Sequence, residues 1–294
     1  MDKVRSDILL AARHPRARVL VLGESGTGKE LVARQIHANS ERKDAPFVPF
    51  NCAAVTPTLL EDRFFGHEKG GFTHATAQVP GLFERANHGM LFLDEIGELS
   101  MAAQAMLLRV LTDGKIVRVG GTREIDVDVR LVMATNCNLP RMVREGSFRA
   151  DLYQRISMMV IRLPSLAERK QDIGTIARNW WYHMVGENLP ESHFAALLDY
   201  DYPGNVRELI NLLERADALG ERDFAKVLSE HKELNKDLYA PIEEASSLPD
   251  NLDEVIGRHV KAVLAKYGGN KTAAAKALGI SLNTLKKHLQ STVG

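Results

Sequence analysis

Apolar and polar positions follow two rhythms along the first half of the chain. Short apolar runs typical of buried strands occur at 17–23 (ARVLVLG), 46–52 (PFVPFNC), 89–95 (GMLFLDE) and 128–136 (DVRLVMATN). Helical patterns at 29–39 (KELVARQIHAN) and 101–111 (MAAQAMLLRVL) lie between them. Strands that alternate with helices at this spacing predict an α/β fold, with a parallel sheet covered by helices.

The strand signals stop at Pro164, and the remaining pattern is helical. Residues 164–222 predict helices interrupted at 200–205 (YDYPGN), and residues 251–294 predict a compact set of three helices. Between them, a helical stretch gives way to the looser 240–250 (APIEEASSLPD). We therefore predict an α/β domain at 1–163, a small helical subdomain at 164–222, a linker at 223–250 and an all-α domain at 251–294.

The composition is that of an ordinary globular protein. The chain has 294 residues, of which 45% are hydrophobic and 26% charged. It lacks an apolar run of ~18 residues that would span a membrane, and its start lacks the apolar core of a secretory signal. Cys52 and Cys137 are far apart and match no metal spacing. We interpret them as reduced thiols and expect a cytoplasmic protein without membrane contact.

Net charge is zero overall but unevenly distributed. Residues 251–294 hold seven Lys and Arg side chains against two acidic ones, so the rest of the chain is acidic. A basic end on an acidic body favours a polyanion partner at the C-terminus. A solvated helix face would show the same charge.

The sequence GESGTGKE, which directly follows the first strand, predicts a phosphate-binding loop. Its glycines allow backbone N–H groups to surround phosphates, and the following helix adds a positive dipole. Lys29 would reach the β- and γ-phosphates of a nucleotide. The generic motif continues with Ser or Thr, whereas this chain has Glu30, so an ordinary glycine-rich turn remains an alternative. The candidate residues are Gly23, Glu24, Ser25, Gly26, Thr27, Gly28, Lys29 and Glu30.

An acid pair follows the apolar run at 89–95. At the tip of a parallel strand, Asp94 can hold magnesium through water and Glu95 can polarise an attacking water. Two surface acids at a strand end would look the same in isolation. Together with the upstream loop, the pair favours nucleotide hydrolysis with ATP and Mg²⁺ as cofactors.

Two arginines, Arg149 and Arg155, stand in the sequence GSFRADLYQRI near the end of the α/β part. Solvated arginines on a helix are the ordinary interpretation. The functional one is an arginine finger, which supplies positive charge to the phosphate bound by a neighbouring subunit and is worth ~10³–10⁵ in rate. That role requires a ring or filament of subunits.

These motifs, taken in order, resemble the bacterial enhancer-binding proteins, the AAA+ ATPases that activate sigma-54 RNA polymerase. The resemblance extends over almost the whole chain and includes GESGTGKELVARQIH, PFVPFNCAA, FGHEKGGFTHA, LFLDEIGEL, LLRVLTDGKIVRVGG, FRADLYQRI and YPGNVRELINLLERA. It implies an AAA+ P-loop ATPase with a helical lid, and Glu30 after the lysine is what this family carries.

The resemblance also implies residue roles. Asp94 and Glu95 correspond to the Walker B pair, and Asn51 to the switch asparagine that senses nucleotide through Glu95. Thr135 and Asn136 lie at the first sensor. Arg149 and Arg155 match the arginine fingers, and Arg207 matches the second sensor on the lid. Family members work as rings, usually hexamers, with ATP bound between subunits.

The loop at 70–75 corresponds to the family's GAFTGA loop, which contacts sigma-54. The contact pair, Phe72 and Thr73, is present, and an exposed aromatic suits a binding anchor. Two positions differ from the family pattern. Gly71 replaces alanine and adds backbone freedom, and His74 replaces glycine and adds bulk beside the contact.

The basic end resembles a Fis-type helix-turn-helix domain. Ser281 is a good N-cap for a last helix whose Leu282, Leu285 and Leu289 are predicted to face inward, which suits a recognition helix in the major groove. Candidates for phosphate contacts are Lys271, Lys276, Lys286 and Lys287. Candidates for base edges are Asn283 and Thr284, with Ser281 beside them. The expected DNA partner is an upstream activating sequence.

The phosphate loop begins at residue 23, and relatives carry a sensory domain and an adenine-contacting segment further upstream. We expect both to be absent from this chain, so that either the chain is shortened or truncated or adenine is held differently. Control is then expected from a partner in trans, from the expression level or from sequence outside this chain. Two alternatives to sigma-54 activation stay open. One is a DNA-binding AAA+ regulator whose variant GGFTHA loop works without sigma-54, with another polymerase form or as a repressor. The other is an AAA+ remodeller of unrelated targets.

Overall fold

The structure is a computed structural model that describes residues 1–71, 75–236 and 252–290. Its chain divides into two compact units, Met1–Leu234 and Asn235–Gly294. In the first unit the strands are β1 (Val19–Leu22), β2 (Phe47–Asn51), β3 (Gly66–His67), β4 (Val79–Pro80), β5 (Met90–Asp94), β6 (Lys115–Val117), β7 (Glu124–Asp126), β8 (Arg130–Thr135) and β9 (Met159–Arg162).

The helices of the first unit surround these strands and continue beyond them. They are α1 (Asp2–Arg13), α2 (Lys29–Ala38), α3 (Pro57–Phe65), α4 (Leu82–Arg85), α5 (Met101–Asp113), α6 (Leu139–Arg144), α7 (Ala150–Ile156), α8 (Ile173–Val185), α9 (Asn205–Ala218) and α10 (Phe224–Leu234). Short 3₁₀ helices cover Cys52–Ala54, Ile96–Glu98, Ala167–Asp172 and Glu191–Asp199.

Five strands form one parallel sheet in the order β2-β5-β8-β1-β9. The four predicted strands and the two predicted helices are all present, so the predicted α/β architecture is confirmed. Strands β1, β5 and β8 lie in the middle and are almost wholly buried, as expected for continuous apolar runs in a parallel sheet. Their carboxyl ends lie at one edge and bring the segments around residues 23, 94 and 136 together.

The first helix is held to the sheet by a buried arginine. Arg130, at the start of β8, is 3% exposed and donates to the carbonyl oxygens of Ala11 and Ala12 at the end of α1. These carbonyls belong to the last turn of the helix, where the Ala11 oxygen also accepts from the His14 N–H, and a cation there complements the helix dipole.

Two small antiparallel hairpins project from the α/β part, formed by β3 with β4 and by β6 with β7. A β-bridge between His67 and Val119 joins the two hairpins. Strands of two or three residues leave no periodic signal, and the sequence did not predict them.

The predicted helical region beyond Pro164 is confirmed, with the expected interruption just before α9. Its helices enclose their own core, which includes Trp181, Phe194 and Tyr202. Helix α10 lies within the predicted linker 223–250, and its Phe224 and Val227 are buried in that same core. The rest of the predicted linker, from residue 237, lies outside the described residues.

The second unit contains the three predicted helices, α11 (Leu252–Lys266), α12 (Lys271–Leu278) and α13 (Leu282–Gln290). They pack around Val260, Ala274, Ala275 and Leu285. Gly279 ends α12 with a φ of 67°, as the turn requires. Leu289 packs against this core, but Leu282 is 37% exposed, so the prediction that it faces inward was wrong. Leu282 opens the first turn of α13, ahead of the buried stripe.

Within the described part of the chain, no helix is long and apolar enough to cross a membrane.

Candidate active site

The phosphate loop connects β1 to α2 and has the backbone that the motif predicts. Gly26 and Gly28 have φ values of 78° and 100°, a region that favours glycine. Gly28 is the N-cap of α2, and Lys29 is its first residue. Thr27 donates its hydroxyl to the Glu24 carbonyl oxygen at 2.8 Å and so fixes the curve of the loop. The backbone therefore turns towards a helix N-terminus, where an anion is favoured.

Lys29 is buried at the centre of this loop, with 5% of its surface exposed. Its Nζ donates to the carbonyl oxygens of Gly23 at 3.1 Å and Glu24 at 3.3 Å. It also lies 3.3 Å from Oε1 of Glu95, which comes from a different strand. The ammonium is thus directed towards the place where loop and acid pair meet.

The acid pair lies where β5 ends, as predicted. Burial raises the pKa of Asp94, and the carboxylate of Glu95 adds to that effect, while the Glu95 backbone N–H and Lys29 oppose it. Oδ1 of Asp94 accepts from the Glu95 N–H at 3.0 Å. Glu95 has a φ of 51°, an uncommon left-handed conformation for a side chain of this type. The turn directs the Glu95 carboxylate towards Lys29 on one side and the Asn136 N–H, 3.3 Å away, on the other.

Asn51 and Thr135 lie at the same carboxyl edge of the sheet, at the ends of β2 and β8. Asn51 is paired in register with Asp94, and its Oδ1 accepts from the Ala53 N–H at 2.9 Å. Thr135 is fully buried, and its Oγ1 accepts from the Cys137 N–H at 3.0 Å, which fixes the turn that carries Asn136. The switch asparagine Asn51 and the first-sensor residues Thr135 and Asn136 therefore lie on either side of the acid pair.

Both cysteines are free, and one of them lies beside the acid pair. Burial raises the pKa of Cys52 to about 12, with smaller contributions from the carboxylates of Asp94 and Glu95. Cys52 is therefore a neutral, structural thiol at neutral pH.

The lid reaches the phosphate loop directly. Arg207 donates from Nη1 to Oγ of Ser25 at 3.1 Å, so the candidate second sensor lies at the loop. Glu30, in contrast, is exposed and pairs with Arg34 one turn along α2, at 2.6 Å. The structure adds Arg169, a buried lid residue that donates to the Thr27 carbonyl oxygen at 2.9 Å. Arg169 stands in an otherwise polar stretch of the sequence, which gives no sign that it is buried.

An apolar cavity of about 470 Å³ lies beside Thr27 and Gly28. Its walls include Met1, Val4 and Ile8 from α1, besides residues of α2 and Arg169. We predicted from the sequence that the adenine-contacting segment is absent. A flat apolar base beside the phosphate loop fits this cavity in size and chemistry.

The donor set fits a magnesium ion that is held mainly by a nucleotide. Among the described residues, no group of three or more His, Cys, Asp or Glu side chains could hold a metal. Mg²⁺ commonly uses one or two carboxylates, with phosphate oxygens and water completing its shell. Asp94, beside Lys29 and the phosphate loop, can serve as that carboxylate.

The two candidate arginine fingers lie at the start and near the end of α7. Arg149 is bound to Asp151 at 2.8 Å, and Arg155 is exposed, with Nη2 3.5 Å from the Leu111 carbonyl oxygen. Neither arginine lines the cavity beside Thr27. Gln104, which is fully buried, accepts from the Arg149 N–H at 2.8 Å and so fixes this corner. We did not predict this role, although a lone glutamine in an apolar helix pattern was a signal for it.

The base of the 70–75 loop is attached to the β6–β7 hairpin by an ionic cluster. Arg118 binds Glu84 at 2.5 Å and Glu68 at 2.8 Å, and these bonds raise the pKa of its guanidinium. A Cβ on Gly71 would stand 2.6 Å from the Val119 carbonyl oxygen, so the glycine allows this close approach. The predicted contact residues Phe72 and Thr73, and His74 after them, lie outside the described residues.

In the second unit, the predicted DNA-contacting lysines at 271, 276, 286 and 287 are all exposed, as are Ser281 and Asn283. Ser281 caps α13 as predicted, since its Oγ accepts from the Thr284 N–H at 3.1 Å. The Thr284 hydroxyl is itself 2.8 Å from Ser281 Oγ. Asn283 is thus the more accessible of the two candidates for base edges.

Comparison with known families agrees with this architecture. Residues 1–162 match the Sigma-54 interaction domain, 167–239 the AAA+ ATPase lid domain, and 254–290 the Fis family of bacterial regulatory proteins. The chain belongs to the sigma-54 interaction family. The AAA+ fold and the family resemblance drawn from the sequence are therefore confirmed.

Individual family members are similar over nearly the whole chain. The regulatory protein AtoC of Escherichia coli is 41% identical over 94% of this chain and 62% of its own length. A Nif-specific regulatory protein of Azotobacter vinelandii is 44% identical over 93% of this chain and 54% of its own. The crystal structure of NtrX from Brucella abortus in complex with ATP superimposes with a TM-score of 0.68, at 31% identity, over 100% of this chain and 68% of that one. The chain thus spans about half to two thirds of these relatives.

Proposed function

We propose that the protein is an ATP-hydrolysing transcriptional activator that binds enhancer-like upstream DNA and remodels sigma-54 RNA polymerase in the cytoplasm. The observation that carries the proposal is the approach of Lys29 to Glu95 at 3.3 Å, beside Asp94 and the phosphate loop. A cation at the start of α2 and a carboxylate at the end of β5, 66 positions apart in the sequence, meet there. Family membership supplies the polymerase and the DNA as partners.

In the proposed reaction, the phosphate loop and Lys29 bind the triphosphate, and Asp94 holds Mg²⁺ through water. A bound Mg²⁺ would supply positive charge that offsets the charge developing on the transferred phosphoryl group. Glu95 orients and polarises the attacking water, and Asn51, Thr135 and Asn136 sense the state of the γ-phosphate. The apolar cavity beside Thr27 would hold the adenine ring.

We further propose that the active form is a ring of copies of this chain, a hexamer in the simplest case. Arg149 and Arg155 would then complete the site of the neighbouring subunit. Arg155 is exposed, Arg149 is partly exposed, and neither lines the cavity beside the subunit's own phosphate loop, which supports this arrangement. A partner acting in trans would control assembly.

Phe72 and Thr73 are the proposed contacts to sigma-54. The ionic cluster around Arg118 connects the base of their loop to the β6–β7 hairpin, and so to the core that carries the acid pair. The basic second unit would hold the ring at its DNA site through Lys271, Lys276, Lys286 and Lys287.

Opening of a sigma-54 promoter tests the proposal. Wild-type protein with ATP should convert the closed polymerase complex to an open one, whereas a non-hydrolysable analogue should not. Phe72→Ala should hydrolyse ATP and fail to open the promoter. Hydrolysis without opening by the wild type would reject sigma-54 as the target and favour a DNA-binding regulator that works without it.

A further inference from the structure

A single buried amide, that of Asn205, connects the lid to the phosphate loop. Asn205 is fully buried at the start of α9. Its Nδ2 donates to Oε2 of Glu24 at 3.0 Å and to the carbonyl oxygen of Ser25 at 3.1 Å. Its Oδ1 accepts from the Leu166 N–H at 2.7 Å, where the chain enters the lid. Loop, lid entrance and α9 therefore share one side chain.

The turn before α9 is shaped to bring this amide to the loop. Asn205 has a φ of 56°, a conformation that asparagine adopts more readily than most residues. Glu208, which is 5% exposed and lies in the first turn of α9, accepts from the Gly204 N–H at 2.7 Å. This hydrogen bond fixes the backbone just before the helix. A Cβ on Gly26 would collide with the Gly204 carbonyl oxygen, so the two backbones touch where the loop has no side chain.

The consequence concerns Arg207, which lies two residues after Asn205. Its guanidinium reaches Oγ of Ser25 at 3.1 Å, while the Asn205 amide holds the carbonyl oxygen of that same serine. An exposed arginine has many rotamers, and fixing the first turn of its helix restricts where its guanidinium can go.

We propose that Asn205 and Glu24 form a clasp that positions Arg207 over the phosphates, with Asn205 as a positioning residue for ATP hydrolysis. The proposal rests on the proposed ATPase function. The clasp transmits the state of the loop to the lid, because a phosphate that moves Glu24 or Ser25 also moves the start of α9.

Variants that change the donor and the acceptor of the Asn205 amide separately distinguish this role from a purely structural one. Asn205→Asp keeps an acceptor for the Leu166 N–H but removes the donor and places a carboxylate against Glu24. In the double variant Glu24→Gln/Asn205→Asp, the amide introduced at 24 can donate to the carboxylate introduced at 205. Asn205→Gly keeps the backbone conformation and removes both contacts, which covers the case in which the aspartate variant fails to fold. Asn211→Asp makes the same change on the exposed face of α9 and serves as control.

The experiment measures kcat and KM for ATP hydrolysis in a double-mutant cycle of Asn205→Asp and Arg207→Ala, with thermal unfolding of each variant. Loss of a charge-assisted hydrogen bond predicts a fall in kcat/KM of about tenfold or more for Asn205→Asp. In the Arg207→Ala background the same change should cost less than about threefold, because residues that act together are not additive. Glu24→Gln should restore at least about threefold to Asn205→Asp, and the control should match the wild type.

Equal losses in both backgrounds, or no rescue in a folded double variant, would overturn the clasp while leaving the ATPase intact. If Asn205→Asp does not fold, the double-mutant cycle is run with Asn205→Gly and Arg207→Ala. Equal losses in both backgrounds would again overturn the clasp. Absence of turnover in assembled wild-type protein would instead reject the proposed function itself.

Discussion

Lys29 and Glu95 lie 3.3 Å apart, so the cation proposed to bind phosphate and the carboxylate proposed to activate water contact each other. Both side chains are largely buried, with 5% and 19% of their surfaces exposed. Phosphate oxygens compete for the same ammonium, and a bound nucleotide would free Glu95 to engage water. The phosphate loop and the base are coupled by this pair.

The first prediction follows from that pair. Glu95→Gln keeps the size of the side chain and removes its basicity, so ATP binding should persist while turnover falls by roughly 10²–10⁴. Binding of a fluorescent nucleotide and release of phosphate measure the two effects separately. Glu98→Gln, the same change at an exposed position three residues later, should leave both unchanged. Unaltered turnover in Glu95→Gln would mean that another group activates the water.

The second prediction concerns Arg149 and Arg155. If they act on a neighbouring subunit, Arg155→Ala and Lys29→Ala proteins should each be inactive, because an arginine finger contributes ~10³ or more to the rate. Mixing the two should restore turnover, since some sites then combine an intact lysine with an intact arginine. Arg141→Ala, which breaks only a pair with Glu145 on α6, is the matched control. A mixture as inactive as its components would place the arginines within their own subunit's function.

Some of this architecture could be predicted from sequence and some could not. Strands β1, β5 and β8 are continuous apolar runs because both of their faces are buried, and they were predicted. Strand β9 is half exposed and carries no such signal. The order of motifs identified Lys29 and Glu95, but the bond from Asn205 to Glu24 spans 181 positions and depends on packing that no local pattern records. Long-range polar contacts of this kind can be identified only once the three-dimensional fold is known.

The third prediction concerns the ionic cluster below the 70–75 loop. Charge-assisted hydrogen bonds are worth about 1.5–3 kcal/mol each, so Arg118→Ala should release the loop base from the β6–β7 hairpin. We expect the binding of purified sigma-54 in the presence of ADP–aluminium fluoride to weaken by about tenfold or more, while ATP turnover changes much less. Arg123→Ala, an exposed residue of the same hairpin, should leave capture intact. Normal capture by Arg118→Ala would show that the cluster does not support the loop.

The fourth prediction concerns DNA. Lys286→Ala and Lys287→Ala should weaken binding to all sequences alike, and each should reduce the slope of log K against log salt by about 1. Asn283→Ala should instead cost about 1–3 kcal/mol at the specific site only. Titrations over a range of salt concentrations separate the two effects, with Lys266→Ala on α11 as control. Unchanged slopes would place the phosphate contacts elsewhere.

The fifth prediction concerns the thiols. Because burial raises the pKa of Cys52 to about 12, almost none of it is thiolate at pH 8, and thiolate is the reactive form. Cys137 is half-buried at the sheet edge. Iodoacetamide at pH 8 should therefore label Cys137 in the folded protein and both thiols after denaturation, as peptide mass spectrometry would show. Rapid labelling of Cys52 in folded protein would contradict its burial beside the acid pair.

The most direct test of the central claim is capture of purified sigma-54 with and without ADP–aluminium fluoride, a mimic of the hydrolysis transition state, using protein shown to hydrolyse ATP. We predict a stable complex only with the mimic, lost in Phe72→Ala. This result would connect the Lys29–Glu95 site to the loop despite its Gly71 and His74. Hydrolysis without any trapped complex would contradict the account, and the ring would then be a DNA-bound regulator with another target.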